Sequence, residues 1–274
     1  MSETIHLDIT GYLDFTGPEG LRTRGTVLVV PGRGESPATY QRFGRRLAAD
    51  SYRVRVLPAP VIDEADLAGT LDRFAAQLTD AVSRLGEDGP VRPLVLAGSD
   101  TGAAAIAALA ARSAPSGRLA PSVAPGAGWW PQALVLAALP GYGAHPVAGW
   151  DEELDVRTHC TVHRGVLSDD PSVPRGSLSD PVPSDLLDAA YDGAVDLPRL
   201  VLVGDADPFA DRQALTGAAK ALPRVRLVVV RGAHHDVLND LQHRSVAAQV
   251  VTFLEVLRNE PSLEPLIEVE SSAW

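Results

Sequence analysis

The sequence contains only one cysteine, Cys160, so no intramolecular disulfide bond can form, which fits a reducing compartment. Basic residues are also scarce. The 24 Lys and Arg residues stand against 35 Asp and Glu residues, which gives a formal net charge of −11. A chain with this balance has no basic face to neutralise phosphates. We therefore do not expect a general nucleic-acid-binding protein.

Long apolar runs are missing as well. No uncharged apolar stretch reaches the roughly 18 residues of a membrane span, and the first residues lack the basic and apolar regions of a signal peptide. We expect a cytoplasmic protein without a membrane span. The remaining composition, 45% hydrophobic and 22% charged, is globular, and 274 residues suffice for one large α/β domain. The oligomeric state, a homodimer included, stays open.

Short apolar runs rich in β-branched residues alternate with amphipathic stretches. Residues 25–31 form a nearly continuous apolar run, typical of a strand buried on both faces. The alternation predicts an α/β fold with a mostly parallel central sheet flanked by helices. The predicted strands are residues 25–31, 52–57, 93–97, 133–137, 199–203 and 224–230, and the predicted helices are residues 36–49, 64–85, 103–112, 215–222 and 245–257.

One long segment interrupts this alternation. About 60 residues separate Leu139 from Arg199, far more than a usual loop. The segment is rich in Pro, Ser and Asp, but it also has apolar side chains to bury, so we expect a lid-like excursion after the sixth strand; a poorly ordered insertion is the alternative. The predicted organisation is a core of residues 1–141 and 198–260, a lid of residues 142–197 and a loosely held C-terminal tail of residues 261–274.

Three polar turns follow predicted strands, at the edge where open α/β sheets place their sites. The first is Gly98-Ser99-Asp100-Thr101-Gly102. A tight strand-to-helix turn strains its central residue and needs small residues two positions to either side. Glycines meet this need if Asp100 is central, whereas Ser99 would be flanked by Ala97 and Thr101. The pattern favours Asp100. Ser99 in a shifted turn and Asp100 as a plain helix cap are the alternatives.

These turns resemble the motifs of the α/β-hydrolase family, in the family's order. The strand and turn around Asp100 resemble its nucleophile elbow, and Pro31-Gly32-Arg33-Gly34 stands where the family has its oxyanion-hole loop. Leu202-Val-Gly-Asp-Ala-Asp207 resembles the acid motif, and Gly232-Ala-His-His235 resembles the histidine motif of the lysophospholipase and monoacylglycerol-lipase branch. The resemblance covers residues 20–258. It implies a triad of Asp100, Asp207 and His235.

Aspartate at the elbow resembles the epoxide hydrolases and haloalkane dehalogenases. Such a carboxylate is ionised at neutral pH and can attack an electrophilic carbon without a base, forming a covalent ester. The resemblance then implies that His235, oriented by Asp207, activates water to hydrolyse that ester. Backbone N–H groups from Thr101 and from Gly32 or Arg33 would form the oxyanion hole. The implied substrate is an epoxide-like or other small electrophilic molecule, and nothing in the sequence calls for a cofactor or metal.

The sequence also departs from both subfamilies. Thr101 follows the elbow aspartate where haloalkane dehalogenases have Trp, and Pro31-Gly32-Arg33-Gly34 stands where epoxide hydrolases typically have His-Gly-x-Pro. Arg33 is either an exposed loop residue or a cation that binds an acidic substrate group. Tyr142 and Tyr191 are the local candidates for the tyrosines that protonate an epoxide, and are packing residues otherwise.

Other functions stay open at this point. An esterase, lipase or thioesterase using Ser99 is one, and a lyase, a cofactor-free enzyme or a binding protein with the same fold is another. Asp205 and His234 adjoin the assigned acid and base and could be confused with them, and Glu35 is expected to be exposed. The pattern His159-Cys160-x-x-His163 offers at most three metal ligands, so it is a weak zinc signal.

Overall fold

The protein is described here from a computed structural model. The structure describes residues 5–7, 11–113, 128–143, 145–193, 195–222, 224–259, 262–268 and 270–271. The strands are β1 (Ile5–Leu7), β2 (Leu13–Phe15), β3 (Gly25–Val30), β4 (Tyr52–Val56), β5 (Leu94–Ser99), β6 (Ala133–Ala137), β7 (Arg199–Gly204) and β8 (Val225–Val230). The helices are α1 (Gln41–Ala49), α2 (Leu67–Ser83), α3 (Asp100–Ser113), α4 (Trp150–Arg157), α5 (Thr161–Asp169), α6 (Ser184–Asp192), α7 (Arg212–Ala221) and α8 (His243–Asn259).

The strands form one sheet in the order β1-β2-β4-β3-β5-β6-β7-β8. The first two strands are antiparallel to their neighbours, and the pairs from β4 to β8 are parallel. The predicted mostly parallel sheet is therefore confirmed. Val30 pairs with Gly98, so the loop after β3 leaves the sheet beside the turn after β5. This register brings two of the predicted motifs together.

The core lies on both faces of the sheet, as the uninterrupted apolar runs predict. Every residue of β3, β5, β6 and β7 is buried. On one face the sheet packs against α2, α3 and α6, where the alanines of α3 allow close approach, and on the other against α1 and α8. Two buried layers thus fix the carboxyl ends of the parallel strands, where the polar turns lie.

The predicted elements are present with shifted boundaries. The helix predicted over residues 64–85 is α2, capped by Asp66, whose carboxylate accepts from the Gly69 N–H at 2.8 Å. The helix predicted from residue 103 begins at Asp100, because the strand turns directly into it. The sequence did not predict β1 and β2, which have three residues each. Most of the loop predicted over residues 113–131 lies outside the described residues.

The segment between β6 and β7 carries three helices, α4, α5 and α6. Its Leu154, Leu167 and Val173 form a small apolar cluster, whereas Leu186 and Leu187 of α6 join the main core. The described part of the segment is therefore folded and packed. The described part of the predicted tail contains neither helix nor strand. Over the described residues, no helix combines the length and the apolar character needed to cross a membrane.

Candidate active site

Asp100 stands at the point where β5 turns into α3. Its backbone has φ +48°, a left-handed conformation that strains most side chains and that Asp tolerates better than most. Its side chain is buried, with 3% of its surface exposed. A strained polar residue at the carboxyl end of a central strand has the geometry of a nucleophile elbow.

The neighbouring glycines are required by close backbone approach. A Cβ on Gly98 would lie 2.7 Å from the Ala103 nitrogen, and a Cβ on Gly102 would lie 2.4 Å from the Pro31 oxygen. Both distances are shorter than real contacts, so only glycine fits at these two positions. This confirms the steric prediction that centres the turn on Asp100.

His235 and Asp207 complete the group that the sequence predicted. Asp207 follows β7, and His235 lies in the loop after β8. The Nδ1 of His235 lies 3.0 Å from each carboxylate oxygen of Asp207, and its Nε2 lies 3.5 Å from Asp100 Oδ1. The last distance exceeds that of an ordinary hydrogen bond, and Nε2 has no closer polar partner among the described residues. The imidazole therefore lies between two carboxylates and is held firmly by Asp207.

Neighbouring charges control the protonation of this group. Burial alone would lower the pKa of His235, but the charge of Asp207 and contacts with Asp100 outweigh it and raise the pKa to about 10. Burial alone would raise the pKa of Asp100, but the Arg33 guanidinium and His235 hold it well below its usual range. At neutral pH the site thus contains an imidazolium and an ionised Asp100.

Arg33 binds both oxygens of Asp100. Its Nε and Nη2 donate to Oδ2 and Oδ1 at 2.8 Å each, and its backbone N–H donates to Oδ2 at 2.9 Å. Its Nη1 donates to the carbonyls of Leu178 at 3.2 Å and Asp180 at 2.5 Å, both in the segment between β6 and β7. The guanidinium also lies 5.5 Å from the centre of the Phe209 ring. Of the two interpretations of Arg33, the exposed loop residue is wrong: 11% of its side chain is exposed.

The predicted oxyanion hole is only partly arranged as expected. The Arg33 N–H points at Asp100, but the Gly32 N–H donates to Glu35 Oε2 at 2.7 Å and is not free for an oxyanion. Thr101 is the second helical residue of α3 and is buried beside the same loop. Gly32 passes so close to the elbow that a Cβ on it would lie 2.6 Å from Asp100 Cβ.

Glu35 was predicted to be exposed, and this prediction is wrong. Its side chain turns inward, where it accepts from Gly32 and from the Tyr40 hydroxyl at 2.5 Å. Burial, together with the charge of Asp236, raises the pKa of Glu35 to about 7. The sequence could not show this, because the acid is buried by hydrogen bonds to a loop that has no periodic pattern.

Arg157 was missed by the sequence analysis and supports the same loop. It lies at the end of α4 with 1% of its side chain exposed, and its Nη2 donates to the Arg33 carbonyl at 2.8 Å. Glu153 and Asp236 lie within 2.8 and 3.4 Å of the guanidinium. The buried ion pairs therefore hold the loop through its backbone. Phe209 was also missed; its N–H donates to Asp207 Oδ1 at 2.9 Å and its ring lies 5.2 Å from that of His235.

The residues adjacent in sequence to Asp100, Asp207 and His235 form hydrogen bonds with other partners. The Ser99 hydroxyl lies against the Tyr40 hydroxyl. Asp205 is exposed and accepts the Gly232 N–H at 2.6 Å. His234 is bound through Nδ1 to Asp240 at 2.9 Å. The structure thus brings Asp207 and His235, and not their neighbours, to Asp100.

A pocket of about 710 Å³ opens beside the elbow, and Gly32, Arg33 and Thr101 form part of its wall. The two tyrosines named by the sequence are not in this wall. The Tyr142 hydroxyl donates to Asp188 at 2.7 Å, and the Tyr191 hydroxyl donates to the Pro140 carbonyl at 3.1 Å. Each hydroxyl therefore already has a partner away from Asp100.

The residues of the weak zinc pattern are used separately. His163 Nε2 lies 2.8 Å from Asp236, and the His159 ring lies 3.8 Å from that of His234. Cys160 is buried and receives a hydrogen bond from Arg42 at 3.2 Å. Over the part of the chain that the structure describes, no three His, Cys, Asp or Glu side chains are grouped to hold a metal ion.

With this geometry known, the chain can be compared with other proteins. The family model Hydrolase_4, described as serine aminopeptidase S33, matches residues 22–242. No curated protein sequence is significantly similar to this chain.

Similar solved structures include a monoacylglycerol lipase from Paleococcus ferrophilus, with a TM-score of 0.64, 16% identity and 94% and 99% of the two chains covered. A soluble variant of monoglyceride lipase from Saccharomyces cerevisiae has a TM-score of 0.63 at 16% identity, covering 90% and 91%. An evolved variant of potato epoxide hydrolase has a TM-score of 0.59 at 14% identity, covering 93% and 99%. At this identity the likeness shows the fold alone.

Proposed function

Because the chain belongs to the Hydrolase_4 family of α/β hydrolases and is therefore a hydrolase, we propose that it acts through a covalent ester on Asp100, formed with a small electrophilic molecule such as an epoxide. The observation that carries this proposal is the position of Asp100. It occupies the strained elbow, and its Oδ1 is the elbow atom that faces His235, at 3.5 Å. The Ser99 hydroxyl faces Tyr40.

The first step is attack by an Asp100 oxygen on the electrophilic carbon. Asp100 is ionised at neutral pH, because its pKa lies well below the usual range, and so the attack needs no base. Oδ2 accepts both the backbone N–H and the Nε of Arg33, whereas Oδ1 accepts Nη2 and faces His235, so Oδ1 is the proposed attacking oxygen. One bond forms from Oδ1 to carbon, and the leaving group departs with the bonding electron pair.

The second step is hydrolysis of the ester by water that His235 deprotonates. The charge of Asp100 helps to raise the pKa of His235 to about 10, and this contribution disappears when Asp100 becomes a neutral ester. The pKa of His235 therefore falls when the ester forms, so the imidazolium can release its proton to solvent and a neutral imidazole is present at the stage where a base is needed. Hydroxide attacks the ester carbonyl, and the Arg33 N–H stabilises the oxyanion. The bond from the carbonyl carbon to Oδ1 then breaks, the product alcohol leaves with Oδ1 and takes a proton from His235, and the restored Asp100 carboxylate contains one oxygen from water.

Residues 142–197 act in this proposal as the lid. The carbonyls of Leu178 and Asp180 bind the Arg33 guanidinium, and Ser177 and Pro183 contribute to the pocket wall. The segment thus contacts both the loop beside the nucleophile and the space where a substrate would bind. The proposed domains are the core of residues 1–141 and 198–260, this lid, and the tail of residues 261–274.

Mass spectrometry of a His235→Gln variant tests the proposed function. The variant is incubated with epoxides, haloalkanes, alkyl sulfonates and activated esters, and adducts are mapped by peptide digestion. We expect a stable adduct on Asp100, because removing the base stops ester hydrolysis. The wild-type protein turned over in H₂¹⁸O should then carry ¹⁸O in the Asp100 carboxylate.

An adduct on Ser99 would instead support an acyl hydrolase, the activity in the names of the lipases with the same fold. No adduct with any class would contradict the ester mechanism and favour a non-hydrolytic or binding role. The Asp100→Asn variant in the same background is the matched control, since it keeps the side-chain shape and removes the nucleophile.

A further inference from the structure

Arg33 separates the pocket from the proposed nucleophile. Gly32, Arg33 and Thr101 line the pocket, whereas Asp100 does not and is 3% exposed. Two guanidinium nitrogens bind the Asp100 oxygens at 2.8 Å. A substrate in the pocket must therefore meet the guanidinium before or together with the carboxylate.

Ester formation would leave this guanidinium without its anion. An arginine stays charged at neutral pH even without a partner, and only 11% of the Arg33 side chain is exposed. The ester of Asp100 carries no charge, so a buried cation would lose its partner, which is costly unless another anion replaces it. Of the described residues in the pocket wall, only Arg33 is basic. The leaving group is the anion that the reaction itself supplies.

We infer that Arg33 binds the leaving group, and that the substrate is an alkylating electrophile whose leaving group departs as a stable two-oxygen anion such as a sulfonate, sulfate or carboxylate. This inference rests on the proposed Asp100 ester. The guanidinium already holds two carboxylate oxygens through Nε and Nη2, which is the planar two-point geometry that such anions match. In the balanced step, Asp100 Oδ1 bonds to carbon, the carbon–oxygen bond to the leaving group breaks, and the released anion pairs with Arg33.

An anionic leaving group also needs less from the site than an epoxide oxygen does. Epoxide opening produces an alkoxide, which needs a proton donor; the Tyr142 and Tyr191 hydroxyls donate to Asp188 and Pro140, so the His235 imidazolium would have to supply the proton. A sulfonate or carboxylate leaves without a proton. The strongly hydrogen-bonded Asp100 carboxylate is also a weak nucleophile, which favours a good leaving group.

The test compares two reagents that transfer the same group. In the His235→Gln background, butyl methanesulfonate and 1-bromobutane give an identical butyl ester on Asp100, so the adduct is quantified equally. We expect the ratio of the sulfonate rate to the bromide rate to fall about tenfold or more in Arg33→Gln, because a charge-assisted pair with the leaving oxygens is lost. Arg33→Lys keeps the charge without the planar fork and should restore the ratio only in part.

The ratio does not depend on how much of a variant is folded. Arg22→Gln, which changes an exposed arginine outside the site, should leave it unchanged. If the ratio is unchanged in Arg33→Gln, or if both reagents react faster by the same factor, then Arg33 restricts access to Asp100 but does not bind the leaving group. Either result would overturn the inference and leave the ester mechanism intact. No butyl adduct from either reagent in any Arg33 variant would contradict the ester mechanism, and the inference with it.

Discussion

The Glu35 carboxylate accepts the Gly32 backbone N–H at 2.7 Å, so a buried acid fixes the loop that presents Arg33 to Asp100. Glycine at position 32 lets the loop pass the elbow, and Glu35 then holds the loop in place from the side of the core. The position of the proposed oxyanion-hole N–H is therefore set by a residue that does not contact the reacting atoms.

The ionisation of Glu35 should make stability depend on pH. Its pKa is raised to about 7 in the folded protein, from 4.5 in the unfolded chain. The native state therefore binds the proton more tightly, and stability falls as pH rises between these two values. Glu35→Gln cannot ionise and should lose this component. Urea unfolding at pH 4.5 and pH 8 should show a smaller loss of stability in Glu35→Gln than in wild type.

Glu87→Gln is the control for this measurement, because Glu87 is exposed. It should keep the wild-type dependence on pH. Equal pH dependence in wild type and Glu35→Gln would show that Glu35 ionises near its ordinary pKa.

The acid of the proposed triad can be separated from its neighbour by mutation. Asp207 binds His235 Nδ1 at 3.0 Å, whereas Asp205 binds the Gly232 N–H. Asp207→Asn should slow ester hydrolysis on the order of 10³-fold, because the amide does not stabilise the protonated imidazole. Asp205→Asn should stay within about tenfold of wild type, since it loses a hydrogen bond at the surface. Single-turnover decay of the ester measures both, and similar losses in the two variants would refute the assignment.

The charge of Asp100 should control the pKa of His235. Asp207 is the larger cause that raises this pKa to about 10, and Asp100 adds to it. Asp100→Asn should therefore lower the His235 pKa below the wild-type value, and NMR of the labelled imidazole across a pH series measures the change. Asp205→Asn is the control and should leave the pKa of His235 unchanged. A His235 pKa that does not change in Asp100→Asn would remove the reason why the base is activated only after ester formation.

Much of this site could be predicted because its motifs are local. The buried strands have apolar runs, the elbow has two glycines at fixed spacing, and Asp207 and His235 lie in the loops after β7 and β8. The strands β1 and β2 were missed because three residues are too few to show an alternating pattern. Their residues join the sheet only through pairing with each other and with β4.

The contacts that surround Asp100 could not be predicted from the sequence. Arg33 meets the carbonyl of Asp180, 147 positions away, and Arg157 meets the Arg33 carbonyl, 124 positions away. These distances depend on how residues 142–197 fold over the sheet, and no local pattern encodes that packing. The sequence therefore predicted Asp100, Asp207 and His235, but not the buried charges of Arg157 and Glu35 or the pairing of Arg33 with Asp100.

Replacement by alanine should have opposite effects on stability at Gly102, which is in close contact with backbone atoms, and at Gly217, which is exposed. A Cβ on Gly102 would lie 2.4 and 2.5 Å from the oxygens of Pro31 and Val30, which are backbone atoms that cannot move aside. Gly102→Ala should therefore destabilise the protein by about 1–3 kcal/mol and abolish adduct formation on Asp100, because the loop that carries Arg33 is displaced.

Gly217 lies inside α7, is exposed and has open space around its Cβ position. Gly217→Ala should raise stability by about 0.5–1 kcal/mol without changing adduct formation. Thermal unfolding and the adduct assay on both variants check this pair. Adduct formation at the wild-type rate in Gly102→Ala would show that the contact between the elbow and the Arg33 loop is not needed for the chemistry.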